Sequence, residues 1–125
     1  MHEPPTVLII DDDPGVTVTF ARMLRLAGYR VSTALTAEIG LREVAATHPD
    51  AVVVDLSMPL VDGLAFLRRL RALEEQRRTP VAVVTGDYFV AESVAHELAE
   101  LNATLYYKPL WFEDLLRIAK GLTAQ

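Results

Sequence analysis

Five short strand-like runs, each followed by a helical pattern, constrain this chain more than any other feature. The runs are Thr6–Ile10, 29–33, Ala51–Asp55, Val81–Thr85 and 104–107. The third is continuously apolar up to its last residue, as a strand buried on both faces should be. The connections between strands and helices are short throughout. Right-handed crossovers then place helices on both faces of one parallel sheet.

The helical segments have local start and stop signals. Asp13 is an N-cap with Pro14 at the first helical position, where its missing N–H costs nothing. Val16, Phe20, Met23, Leu24 and Ala27 recur at helical spacing, and Gly28 offers a stop. A second helix is expected over 36–46, closed by Thr47-His48-Pro49. Asp62 caps a third, with a buried stripe of Gly63, Phe66, Leu67, Leu70 and Leu73. A fourth is expected over 90–101, buried through Ala91, Val94, Leu98 and Leu101, and a fifth over 111–122.

With 125 residues the chain reads as one domain, spanning 1–125, with enough length for one core. Its apolar runs fall far below the ~20 residues a membrane helix needs. The N-terminus has no signal-peptide pattern, so a cytoplasmic location without membrane association is expected. No cysteine is present, which excludes disulfides, zinc–thiolate sites and thiol catalysis. A net charge of −5 argues against direct nucleic-acid binding by this domain.

The strand ends collect the chemistry. Ile10-Asp11-Asp12, Val54-Asp55, Val84-Thr85 and Tyr107-Lys108-Pro109 sit at the C-terminal ends of strands one, three, four and five. In an open parallel sheet these ends share one crevice, where ligands bind. Singly, each residue has an ordinary reading. Asp11 and Asp12 suit a turn, Asp55 a strand end, Thr85 a strand and Lys108 a solvated surface. The joint pattern is harder to dismiss. Three carboxylates at one spot repel one another unless a cation intervenes. Mg²⁺ takes one or two carboxylates and leaves positions for waters and phosphate oxygens. A carboxylate can also be a nucleophile and form an aspartyl phosphate. Lys108 offers a point charge and Thr85 a hydroxyl to phosphoryl oxygens, and Gly86 leaves room beside them.

These motifs, with Asp62-Gly63 and the run Val-Val-Val-Asp55-Leu-Ser-Met-Pro59, resemble the receiver domain of two-component response regulators over essentially the whole chain. The resemblance implies a flavodoxin-like (βα)5 fold, a three-layer sandwich around a five-stranded parallel sheet of order 2-1-3-4-5. It implies that Asp55 accepts a phosphoryl group from a phosphohistidine of a sensor histidine kinase or phosphotransfer protein. By the same match Asp12 binds Mg²⁺ directly, Asp11 assists largely through water, and the Ser57 backbone carbonyl is a further ligand. Asp55 completes that metal set, while Thr85 and Lys108 contact the phosphoryl group. The Lys108–Pro109 bond is cis in this family. Such a domain is a signalling phosphoacceptor rather than an enzyme, acting only on its own phosphoryl group. It switches a downstream effector or a fused output domain. A homodimer through the fourth helix, fifth strand and fifth helix is a further expectation.

One position departs from the family pattern. Leu105 stands three residues before the lysine, where the family usually has Tyr or Phe. Tyr106 points to the opposite face of the strand, whereas Tyr107 shares the face of Leu105. A modified coupling between Thr85 and an aromatic, or loop movement, is therefore expected. Asp87 and Ser57 each stand two residues after a site residue, in places that tune phosphoryl lifetime in the family. Asp87 has two readings: it orients or repels the hydrolytic water, or it caps the following helix.

Other residues invite bland readings. His2, His48 and His96 are scattered, which suits surface or loop roles rather than a metal. Arg68, Arg69, Arg71, Arg77 and Arg78 read as a solvated basic face. Phe112 reads as core with Leu115, Leu116 and Ala119, and Trp111 as a candidate partner surface. Two rivals to a working receiver remain: a degenerate receiver that binds partners without phosphorylation, and an aspartate-nucleophile phosphatase. The phosphatase usually wants an acid where Ser57 stands. A nucleotide or flavin binder would need a glycine-rich loop after the first strand, which is lacking.

Overall fold

A computed structural model describes residues 3–87 and 89–124. His2 lies outside them. Five parallel strands form one sheet in the order β2-β1-β3-β4-β5: β1 (Thr6–Ile10), β2 (Arg30–Ala34), β3 (Ala51–Asp55), β4 (Val81–Thr85) and β5 (Ala103–Tyr107). The helices are α1 (Pro14–Leu26), α2 (Ala37–Thr47), α3 (Gly63–Ala72), α4 (Glu92–Glu100) and α5 (Phe112–Thr123). A single 3-10 turn, Glu74–Gln76, follows α3.

The strand pleat sorts the apolar residues into two cores. Leu8, Ile10, Val52, Val54, Val81 and Val83 face α2, α3 and α4, where Phe66, Leu67, Leu70 and Leu98 meet them. Val7, Ile9, Ala51, Val53, Ala82 and Val84 face α1 and α5, against Phe20, Leu24, Leu115 and Ile118. Removing each such Val, Leu, Ile or Phe side chain from water contributes about 1.5–3 kcal/mol. With both faces of β1, β3 and β4 covered, the ends of these strands are left to carry polar chemistry.

The capping expectations match the structure. The Asp13 carboxylate accepts from the Gly15 N–H at 2.8 Å, and the Asp62 carboxylate accepts from the Ala65 N–H at 2.9 Å. Pro14 opens α1, and Gly28 adopts a φ of 98° just past its end. Helix-end assignments differ. Ala27 and Leu73 are exposed cap residues, because the backbone leaves the helix at these positions and the buried stripe ends with it. In α1 the buried stripe instead includes Thr17, whose hydroxyl donates to the Pro14 carbonyl. α4 is shorter than expected: Ala91 precedes it and is exposed, and Val94 and Leu101 are only half-buried. Phe112 is the first residue of α5 and 40% exposed, so it is no core residue, whereas Ile118 is one.

Candidate functional site

Strand register brings the site together. Asp11 follows β1, and its N–H donates to the Ala34 carbonyl of β2 at 3.1 Å, which carries the ladder one step further. Asp55 ends β3 opposite Val84, and Thr85 ends β4 opposite Tyr107. The Lys108 N–H donates to the Thr85 carbonyl at 2.7 Å, and the Lys108–Pro109 bond is cis. Asp11 and Asp55 are buried, Thr85 is fully buried and Asp12 is exposed. One carboxylate oxygen from each of Asp11, Asp12 and Asp55 falls within 4.8 Å of the other two.

The Lys108 ammonium enters this cluster, donating to Asp11 Oδ2 at 2.9 Å and lying 3.8 Å from Asp55 Oδ1. Burial works to lower the Lys108 pKa, but the hydrogen bond to Asp11 and the charges of Asp55, Asp11 and Asp12 outweigh it. The ammonium is held above its usual pKa. Asp55 is pushed up to about 6, first by burial and then by Asp11, with a smaller push from Asp12. Lys108 and the Ser57 N–H, which donates to Asp55 Oδ1 at 3.4 Å, oppose this rise. Three carboxylates against one ammonium leave an excess of two negative charges. The oxygen-only donor set and that excess fit a hard divalent cation such as Mg²⁺.

Thr85 belongs to a second network. Its Oγ1 accepts from the Asp87 N–H at 3.1 Å, and the Ser57 hydroxyl donates to Asp87 Oδ2 at 2.9 Å. Ser57 thereby ties the loop after β3 to the loop after β4. Asp87 lies five residues before α4, so the capping reading is overturned. The positions of Ser57 and Asp87 suggest proximity to the site; only the folded loops reveal their mutual bond. A groove of about 490 Å³ beside the acidic cluster is lined by Leu56, Ser57, Asp62, Asp87, Phe89 and Val94, among others. A methyl group on Gly86 would meet only the Lys108 side chain, at 4.0 Å, so the space there is ample with or without glycine.

Leu105 and Tyr106 point as the alternation requires. Leu105 packs with the α2–α3–α4 core, and Tyr106 with the α1–α5 core. Tyr107 is half-exposed and in register with Thr85. The remaining residues fall outside the site. His48 ends α2 in a left-handed conformation, and His96 pairs with Glu100 on the surface of α4. Trp111 is 67% exposed near Lys108. The solvated reading of the arginines holds for Arg68, which is exposed and pairs with Glu97 at the surface, and fails at Arg71, which is half-buried and donates to backbone carbonyls of Gln76 and Leu101.

The model of the response regulator receiver domain family matches residues 7–120. The transcriptional regulatory protein PrrA of Mycobacterium leprae is 37% identical over 118 residues, covering 94% of this chain and 49% of that protein. The response regulator MprA of Mycolicibacterium vanbaalenii is 36% identical over 119 residues, covering 95% of this chain and 50% of that one. The chain thus spans about half the length of these curated relatives. Among solved structures, the chemotaxis protein CheY4 of Vibrio cholerae superposes with a TM-score of 0.88 at 25% identity, covering 95% of this chain and 98% of that one. The N-terminal domain of a response regulator receiver protein from Methanoculleus marisnigri gives a TM-score of 0.77 at 30% identity, covering 97% and 98%. With its sheet order, its acidic crevice and these matches, the chain belongs to the response regulator receiver domain family.

Proposed function

We propose that Asp55 accepts a phosphoryl group from a phosphohistidine of a sensor kinase or phosphotransfer protein, in a Mg²⁺-dependent reaction. The observation that carries this reading is the position of Asp55: buried, 3.8 Å from the Lys108 ammonium, and clustered with Asp11 and Asp12. A carboxylate oxygen of Asp55 attacks phosphorus as the P–N bond of the donor breaks, and the freed imidazole takes up a proton. Asp12, Asp55 and the Ser57 carbonyl would hold Mg²⁺, with Asp11 assisting largely through water. The bound cation would offset negative charge on the carboxylates and the phosphoryl oxygens. Lys108 then leaves Asp11 for a phosphoryl oxygen, and the Thr85 hydroxyl meets another.

The chain acts as a signalling phosphoacceptor on this reading, with turnover limited to loss of its own phosphoryl group. Ser57, where an aspartate-nucleophile phosphatase usually has an acid, is bonded to Asp87 and supports this over sustained hydrolysis. Its effector is a fused output domain or a separate partner, and α4, β5 and α5 offer a face for self-association. A cytoplasmic location agrees with the absence, among the described residues, of any helix long and apolar enough to cross a membrane. Incubation with Mg²⁺ and acetyl phosphate, read by intact mass, should give one phosphoryl adduct. An adduct that persists in Asp55→Asn, or none at all in the unaltered chain, would overturn the reading.

A further inference from the structure

α4 is held differently from the other helices. It fully buries one side chain, Leu98, where the other four bury three to five residues each. No side chain caps its N-terminus. Two arginines of α3 hold its C-terminal half. Arg68 grips both carboxylate oxygens of Glu97, with Nη2 at 2.6 Å from Oε1. One turn further along α3, Arg71 donates from Nε to the Leu101 carbonyl at 2.9 Å, from Nη1 to the Gln76 carbonyl at 2.8 Å, and from Nη2 to the Asn102 carbonyl at 3.5 Å. Leu101 caps α4, and Asn102 makes the left-handed turn into β5. Arg71 thus serves the carbonyls at the negative end of α4, where a cation is favoured.

The other end of α3 starts against Asp55. The Gly63 N–H donates to the Leu56 carbonyl at 2.9 Å. A methyl group at Gly63 would collide with the Asp55 carbonyl oxygen and lie 2.9 Å from Leu56 Cα. One short helix therefore touches the Asp55 backbone at its first residue and the turn between α4 and β5 near its last. A short hydrogen-bonded helix moves as a unit, so a shift of its start is felt at Arg68, about one and a half turns on, and at Arg71, about two turns on.

We infer that Arg68 and Arg71 are positioning residues that make α3 a second relay from Asp55 to α4 and β5. The inference rests on the reading of Asp55 as phosphoacceptor. This relay needs no aromatic ring at Leu105. The two contacts are unequal. Arg68 is more than half exposed and its pair is screened by water. Arg71 is partly buried and bonds to fixed backbone carbonyls, so it dominates. A coupling of this kind requires an element whose arrangement both sites bias, and α3 touches both.

Amide hydrogen exchange of the whole chain, before and after treatment with Mg²⁺ and acetyl phosphate, tests this. The variants are Arg71→Lys, which keeps the charge but cannot span the carbonyls of Leu101 and Gln76 together, and Glu97→Gln, which breaks the pair with Arg68. In the unmodified chain, Arg71→Lys should speed exchange across 92–104 by about tenfold, and Glu97→Gln by less. Exchange in α1 and β1 should stay unchanged, which shows that the fold is intact. In the unaltered chain, phosphorylation should change exchange across 92–104. In Arg71→Lys that response should fall below about half while the adduct forms to the same extent. The relay is overturned if the unaltered chain forms the adduct without a response across 92–104, if phosphorylated Arg71→Lys responds there as the unaltered chain does, or if Arg71→Lys leaves exchange there unchanged. Failure of the phosphoacceptor reading looks different: the unaltered chain then takes up no phosphoryl group.

Discussion

The Lys108 ammonium lies closer to Asp11 than to Asp55, at 2.9 Å against 3.8 Å. Its hydrogen bond is spent on Asp11, and Asp55 feels it mainly as a nearby charge. That charge is one of two influences that restrain the rise of the Asp55 pKa. Replacing it as Lys108→Met should raise the Asp55 pKa above its value of about 6. Carboxyl ¹³C chemical shifts of Asp55 followed through pH, without divalent cations, measure this. An unchanged or lower midpoint contradicts the assigned role.

Asp55 also limits stability. Its ordinary pKa of 3.8 is raised to about 6 by folding, so the folded state holds the proton more tightly than the unfolded chain. Unfolding free energy contributed by this group is greatest below pH 4 and falls as pH rises to about 6, above which the loss is complete. Asp55→Asn removes the charge and should stabilise the cation-free domain at pH 7 by on the order of 1–3 kcal/mol. The gain should vanish near pH 4. Thermal melts at both pH values decide it, and equal melting temperatures at pH 7 would rule it out.

Gly63 has a steric requirement rather than a conformational one. Its missing methyl leaves the space taken by the Asp55 carbonyl and Leu56 Cα. These are backbone atoms and cannot rotate aside. Gly63→Ala should destabilise the domain by about 1–3 kcal/mol in urea unfolding. It should also slow uptake of phosphoryl from acetyl phosphate, because Asp55 is displaced. Wild-type stability in this variant would mean that the start of α3 is free to retreat.

The bond between Ser57 and Asp87 joins the loops on either side of the acidic crevice. Asp87→Ala removes the acceptor and leaves the N–H that bonds Thr85 Oγ1 without its side-chain anchor. The half-life of the phosphorylated form should change by at least about threefold, the effect of one net hydrogen bond. Ser57→Thr, which keeps the hydroxyl, should preserve the wild-type rate. Equal half-lives in Asp87→Ala and the unaltered chain would leave the bond without a role in dephosphorylation.

The elements and most of the cores were legible in the sequence because their causes are local. β-Branched runs define β1, β3 and β4, and Asp13-Pro14, Thr36 and Asp62 start helices with their own side chains. Helix ends were less legible. Ala27 and Leu73 fit the helical period, but a period carries no information about the residue at which the backbone stops following it. Phe112 fails for a related reason: at the first turn of α5 its position depends on the angle at which the chain enters the helix.

The sequence by itself determined the alternating architecture and placed Asp11, Asp12, Asp55, Thr85 and Lys108 at strand ends, since strand and helix patterns depend on neighbours a few residues away. Only the tertiary structure decided which of these groups touch. Lys108 and Asp11 are 97 positions apart, Arg68 and Glu97 are 29 apart, and Ser57 and Asp87 are 30 apart. Contacts over such spans depend on strand register and on how each helix seats on the sheet. Flexible, charged side chains then settle on the partner that packing brings within reach.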